Sequence, residues 1–208
     1  PEAARLMGGG AGSAAGDSVR VVLAELAEVG FPVASLTELR TSGMRYRPAV
    51  PVLLHWLPMV SDPVVKEDLV RALSVPWARP AAARPLIDEF VGVDDDADPT
   101  GTGLRWAIGN ALSIVADDSV FDDLVRLVEN RSFGKARQMV VLGLGRSKRS
   151  EVVPLLIGLL DDDDVSGHAV KALAKLGAQD ARPELERMVS DPRSWVRKEA
   201  QKALAKLG

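Results

Sequence analysis

Six cations and no acid lie between Asn130 and Ser150. Clusters of this kind neutralise phosphate groups, so the segment is a candidate contact for nucleic acid. The four side chains that we consider for phosphate binding are Lys135, Arg146, Lys148 and Arg149. The alternative, which is the more common situation, is a solvated helix end at which Arg146 to Arg149 complement the helix dipole.

Catalysis and metal binding find less support. The chain contains no cysteine, which excludes disulfides and thiolate chemistry. Its two histidines, His55 and His168, are too few for a multi-histidine zinc site. No nucleophile system is recognisable around His168, and we expect His55 to be packed. We therefore predict no catalytic residue, no cofactor and no metal ligand.

Two aspartate-rich turns offer hard oxygen ligands of the kind that calcium prefers. The first, residues 93–103, does not have the glycine and the terminal glutamate at the spacing of a calcium loop. We expect it to be a flexible, solvated insertion, and we expect the same solvated character for the second, Asp161 to Asp164.

These residues lie in or beside a nine-residue pattern that occurs five times. Its first, fifth, eighth and ninth positions are mostly apolar and form one stripe on a helix. The copies start 39, 32, 29 and 31 residues apart, a period typical of stacked helix pairs that bury their apolar faces only against one another. The copies are residues 65–73, 104–112, 136–144, 165–173 and 196–204.

Each copy is predicted to be the second helix of a pair. A proline, which fits the first turn of a helix, precedes four of the copies at positions 51, 85, 154 and 183. Two further helices, from Asp17 or Ser18 to about Gly30 and around 35–40, would cap the array. We therefore predict about twelve helices and no sheet. Residues 1–16 are expected to be a flexible tail or an expression remnant, and 17–208 a single, complete repeat domain.

The turn Asp-Pro followed by Val-Arg-x-x-Ala-x-x-Ala-Leu, best preserved from Asp191 to Leu204, resembles the HEAT repeat. It is most similar to the short bacterial form that is also named for phycobilisome lyases. The resemblance covers roughly residues 46–208. It implies an all-α, right-handed α-α superhelix, an armadillo-like solenoid of about five helix pairs plus the N-terminal helical cap.

In that family the turn aspartate and the following cation form a ladder of ion pairs between repeats. The resemblance would place the cations at Lys66, Arg105, Arg137 and Arg197, with partners Asp62, Asp98, Asn130 and Asp191. Because Asn130 is uncharged and Ser166 takes the basic position of the fourth copy, we expect the ladder to be interrupted in the middle.

The second helices of such solenoids usually line the concave surface, and pattern positions three, four, six and seven would point there. We expect Trp106 to anchor a partner, because the small Gly109 would leave its surroundings open. The alternative is that these central side chains are simply core. The predicted partner-binding residues are Trp106, Asn110, Gln138, Leu142, His168 and Lys171.

Three functions remain open. The leading hypothesis is a non-catalytic adaptor or scaffold that binds a protein partner of unknown identity through its concave face. The alternative is a nucleic-acid-binding protein similar to helical-repeat DNA glycosylases, although residues 1–130 carry 11 Lys and Arg against 19 Asp and Glu. Assistance in pigment attachment rests only on the phycobilisome-lyase resemblance. Without an apolar stretch of about 20 residues or a secretory signal, we expect a cytoplasmic protein and no membrane contact.

Overall fold

The structure, a computed structural model, describes residues 10–94, 96, 98 and 100–208. Within these residues all regular structure is helical, as the repeated pattern predicts. Twelve α-helices are present there, joined by short 3-10 turns, and no strand occurs. In chain order they are α1 Gly10–Glu28, α2 Leu36–Thr41, α3 Val50–Trp56, α4 Pro63–Leu73, α5 Ala83–Gly92, α6 Leu104–Val115, α7 Phe121–Glu129, α8 Gln138–Leu144, α9 Val152–Gly158, α10 Ser166–Leu176, α11 Arg182–Met188 and α12 Ser194–Leu207.

The chain divides into two compact units, residues 1–78 and residues 79–208. In the first unit α1 packs on α3, and both α2 and α3 pack on α4. The Tyr46 hydroxyl donates a hydrogen bond to the Ala72 carbonyl (2.9 Å), and the Trp77 ring meets the Tyr46 ring edge to face at 5.3 Å. Trp77 thus packs within the first unit.

The second unit contains four helix pairs, of which α6, α8, α10 and α12 are the second helices. These four form one continuous layer, because α6 packs on α8, α8 on α10, and α10 on α12. The predicted nine-residue copies start within two residues of these helices and of α4, and they end within three residues of them. The register of the repeats is therefore the one that the sequence predicts.

Local sequence explains where these helices begin and end. The Asp62 carboxylate accepts hydrogen bonds from the backbone N–H groups of Val64 and Val65, and so caps α4 ahead of Pro63. Gly177 ends α10 with φ 65°, a left-handed conformation that costs glycine little.

The first helix differs from the prediction. It begins at Gly10 instead of at Asp17 or Ser18, so part of the predicted tail is helical, while residues 1–9 lie outside the described residues. The helix predicted around residues 35–40 is confirmed as α2. Ser35 caps it by accepting from the Glu38 N–H, and the Glu38 carboxylate accepts from the Ala34 N–H.

The buried stripe is wider than predicted. The first, fifth, eighth and ninth pattern positions are largely buried, but the sixth position is buried as well in the first four copies, at Val70, Gly109, Val141 and Val170. The expectation that position six points to the surface was wrong. A helix enclosed by a neighbour on each side and by its own pair partner must bury more of its circumference than a one-sided stripe.

Candidate functional site

A buried ion pair joins α8 to the turn before α10. Arg137 has 0% exposure, and Asp162 has 6%. The Arg137 guanidinium donates to both Asp162 carboxylate oxygens, at 2.8 and 3.2 Å, and to the Val128 carbonyl at 3.0 Å. Burial alone would raise the pKa of Asp162, but the hydrogen bonds and charge of Arg137, the Asp164 N–H and Arg131 hold that pKa below its usual value.

This pair corrects the predicted ladder in two ways. Arg137 reaches the aspartate of the following repeat and not Asn130, so the uncharged Asn130 does not interrupt the ladder. In the last repeat Arg193 pairs with the Asp191 carboxylate (2.8 Å), whereas Arg197 donates to the Asp191 and Pro192 carbonyls. The motif predicted a cation in four of the five repeats, but not which repeat its side chain would reach.

The two aspartate-rich turns are also less solvated than predicted. Besides the buried Asp162, Asp98 has only 7% exposure. Its carboxylate accepts from the backbone N–H groups of Gly103 and Arg105, both at 3.0 Å, and so caps the start of α6. Within these turns Asp98 and Asp162 therefore have structural partners.

Small residues allow the second helices to approach closely. A Cβ added to Gly109 would lie 2.9 Å from the Ala136 carbonyl oxygen, and one added to Gly143 would lie 2.9 Å from the Ser113 Cα. Gly109 thus lets α8 pack against α6. The expectation that Gly109 leaves open space beside Trp106 was wrong.

The six predicted partner-binding residues lie on three adjacent second helices. Trp106 and Asn110 are one turn apart on α6, Gln138 and Leu142 one turn apart on α8, and His168 and Lys171 one turn apart on α10. All six are half-buried, so each has surface left to offer to a partner. The Gln138 side-chain amide is oriented by a hydrogen bond to the Asp164 carbonyl (2.8 Å).

Trp195 joins this surface, and the sequence analysis missed it. It lies on α12, one residue before the fifth copy, and 41% of it is exposed. Its ring lies over Gly167, where an added Cβ would be 2.0 Å from the indole. The Lys171 ammonium is 5.5 Å from the ring centroid, within cation–π range, and the His168 ring is 5.7 Å away.

The position of the Trp195 ring follows the repeat register. Gly167 occupies pattern position three, the same position that Trp106 occupies two repeats earlier. Trp195 therefore fills, from the next repeat, the space that a side chain at position three would take. An indole thus lies at equivalent places at the two ends of the surface, with Gln138 at the same pattern position between them. The sequence signal that could have indicated Trp195 is the glycine at pattern position three of the fourth copy, Gly167, together with a tryptophan just before the fifth copy.

His168 contributes a neutral ring to this surface. Burial, and then the nearby positive charge of Lys171, lower the pKa of His168 to about 4. In the described part of the chain its buried Nδ1 atom has no hydrogen-bond partner. The ring is therefore uncharged at neutral pH. It packs beside the Trp195 ring as a neutral imidazole.

Comparisons with known proteins agree with this architecture. The sequence model for HEAT repeats matches residues 122–205. This part of the chain, residues 122–205, consists of HEAT repeats. A designed armadillo repeat protein has a similar structure, with a TM-score of 0.55 and 17% sequence identity over 90% of this chain and 100% of the designed one. At that identity the likeness shows the fold alone. No curated protein sequence matches the chain.

The predicted phosphate-binding residues lie in two groups, one before α8 and one after it. Lys135 precedes α8, whereas Arg146, Lys148 and Arg149 follow it, and seven helical residues separate the two groups by about 10 Å. Arg149 is paired with Glu151 (2.7 Å) and lies over the Phe121 ring at 4.9 Å. Hydrogen bonding to Arg149, first among several causes, lowers the pKa of Glu151 to about 2. Acids from neighbouring elements thus neutralise part of a segment that contains none itself.

Other residue types that could support chemistry are not gathered into a metal site in the described part of the chain. His55 is exposed and meets Trp56 edge to face at 5.5 Å, so the expectation that it is packed was wrong. Among the described residues, no group of three or more His, Asp or Glu side chains is placed to hold a metal ion. Within the same ranges, no helix has the length and apolarity needed to cross a bilayer.

Proposed function

We propose that this protein is a non-catalytic protein-binding module, an adaptor or regulatory scaffold, whose partner contacts the second helices α6, α8, α10 and α12. One observation carries the proposal. Half-buried side chains form a row across adjacent helices, with an indole at each end of the row, at Trp106 and at Trp195. Aromatic anchors among polar neighbours are typical of residues that dominate binding energy at protein interfaces.

The polar residues of the row suggest how a partner would be oriented. Asn110 and Gln138 offer amide groups that can both donate and accept, and Lys171 offers a positive charge beside the Trp195 ring. A partner segment with apolar side chains for the two indoles and with carbonyl or carboxylate groups between them would satisfy this pattern. Helix axes pack about 8–10 Å apart, so two repeats separate the indoles by about 20 Å.

The nucleic-acid alternative has less support. Binding to phosphates needs several unpaired cations on one surface, and the four predicted residues lie at opposite ends of α8, with Arg149 already paired. It makes a separate prediction, which is binding that weakens steeply with salt and is lost when Arg146, Lys148 and Arg149 are neutralised.

The test is partner capture from the native cell extract by the tagged protein and by its Trp106→Ala variant. Removal of an anchor commonly costs about 2 kcal/mol, or roughly thirtyfold in affinity, so the variant should lose the partner while it keeps the helical circular-dichroism spectrum. Leu155→Ala, on the first helix α9, is the control because Leu155 is also an apolar, half-buried residue. Equal capture by wild type and Trp106→Ala, together with salt-sensitive DNA binding, would overturn the proposal.

A further inference from the structure

A cavity of about 480 Å³ opens in the second unit, at the end of the helices away from Trp106. It lies where α6 and α8 end and where α7 begins. Its apolar walls come from Leu112, Phe121, Leu124, Val140 and Leu144. The volume lies within the range of small-molecule sites in proteins, which are mostly apolar with a few well-placed polar groups.

Two arginines lie side by side at the mouth of this cavity. Arg79 Nε donates to the Ile114 carbonyl at 2.5 Å, and Arg146 Nη2 donates to the same carbonyl at 3.4 Å. The shared carbonyl, which belongs to the last turn of α6, fixes both guanidinium groups in one place. In the described part of the chain neither guanidinium has a carboxylate within ion-pair distance.

The two neighbouring acids accept hydrogen bonds from other groups, and the Asp117 carboxylate also lies within electrostatic range of Arg79. The Asp118 carboxylate accepts from the Ser147 hydroxyl (2.6 Å) and from the Lys148 N–H (2.9 Å). The Asp117 carboxylate accepts from the Ser119 hydroxyl (2.5 Å) and N–H (2.9 Å). Burial, and then the positive charge of Arg79, lower the pKa of Arg146. Two like charges are thus held together at the mouth of an apolar cavity, an arrangement that a bound anion would stabilise.

We propose that this cavity binds an organic carboxylate, with the carboxylate between Arg79 and Arg146 and an apolar body against Leu112 and Val140. Guanidinium groups bind carboxylates through paired hydrogen bonds. The lining residues include three cations, Arg79, Arg146 and Lys148, and two acids, Asp117 and Asp118. This balance suits a single negative charge better than a phosphate dianion.

Such a group has two sources, a free carboxylic acid or the terminal carboxylate of a peptide that ends in an apolar residue. The first probe is 3-phenylpropanoate, titrated by calorimetry into the full chain. Its neutral analogue 3-phenylpropanamide, acetate and inorganic phosphate should each bind at least about tenfold more weakly. The second probe is N-acetyl-Ala-Ala-Phe with a free or an amidated terminus, and the tighter of the two carboxylate probes assigns the source.

Arg146→Gln and Arg79→Gln should each weaken binding of the carboxylate probes about tenfold or more, since each removes a charged hydrogen-bond donor. Lys135→Gln is the matched control, because Lys135 is an exposed cation outside the cavity and its loss should leave binding unchanged. Thermal melts show whether each variant is folded. The proposal fails if neither carboxylate probe binds the wild type at millimolar concentration, if phosphate binds as tightly, or if folded Arg146→Gln binds as well as wild type.

Discussion

At the scale of single residues, the Arg137–Asp162 pair is a buried ionic contact between two repeats of the second unit. Both side chains are buried, and the aspartate comes from the repeat after the one that supplies the arginine. A buried ion pair adds little net stability over an apolar pair, but removal of one partner leaves the other charge buried without compensation.

We therefore predict that Asp162→Ala lowers the free energy of unfolding by about 3–5 kcal/mol. Asp163→Ala is the control in the same turn. The Asp163 side chain is fully exposed, and its carboxylate lies 3.6 Å from the Arg193 guanidinium. Its loss should leave the free energy of unfolding nearly unchanged, because exposed ion pairs contribute little to stability. Urea denaturation of the wild type and the two variants measures their free energies of unfolding. Similar losses of stability in the two variants would show that the buried pair is not needed for stability.

His168 predicts a dependence of stability on pH. Its pKa is about 4 in the folded protein and near 6.5 in an unfolded chain. As the pH falls, the unfolded state binds the proton first, so the contribution of His168 to stability is fully present above pH 6.5 and is lost towards pH 4.

We expect the wild type to lose on the order of 1–2 kcal/mol more than His168→Gln between pH 7 and pH 4.5, with solvent screening taken into account. The comparison removes the contribution of other groups, including Asp162, whose lowered pKa matters only in stronger acid. Denaturation curves at the two pH values provide the measurement. Parallel losses in both proteins would mean that His168 titrates normally.

At the scale of the helices, close packing of α6 and α8 depends on glycine. A Cβ on Gly143 would meet the Ser113 Cα at 2.9 Å, and backbone atoms cannot rotate away as a side chain can. Gly158, at the end of α9, has nothing within 4 Å of its Cβ position. The two glycines therefore form a matched pair for the same substitution.

Gly143→Ala should destabilise the protein by about 1–3 kcal/mol, because the helices must move apart. Gly158→Ala should be neutral or stabilising by up to about 1 kcal/mol, because alanine is the better helix former. The melting temperatures of the two variants, compared with that of the wild type, measure these changes in stability. If Gly143→Ala is as stable as Gly158→Ala, the close approach of α6 and α8 is incorrect.

The helices themselves were predictable from the sequence, because their pattern repeats five times and their caps are local. Contacts between repeats were not. Arg137 pairs with an aspartate 25 residues further on, and Trp195 covers a glycine of the preceding repeat. Neither relation is visible in the pattern of one repeat. The same limit explains why Gly109 was interpreted as open space when the neighbouring α8 fills it.

At the scale of the whole molecule, the proposed binding surface is distributed over several repeats, each of which supplies only a few side chains. In this chain three or four second helices would have to act together. Loss of one anchor should therefore weaken binding of the partner strongly, whereas substitutions on the first helices should have little effect on binding.

The most direct test of this account is site-specific photocrosslinking in the native cell. A benzophenone side chain is placed at Gln138, in the middle of the proposed surface, and in a second protein at Leu155 on the first helix α9. We predict a discrete crosslinked protein from position 138 that disappears when Trp106→Ala is added, and none from position 155. A partner that crosslinks from position 155 alone, or from position 138 regardless of Trp106, would contradict the claim that the second helices bind it.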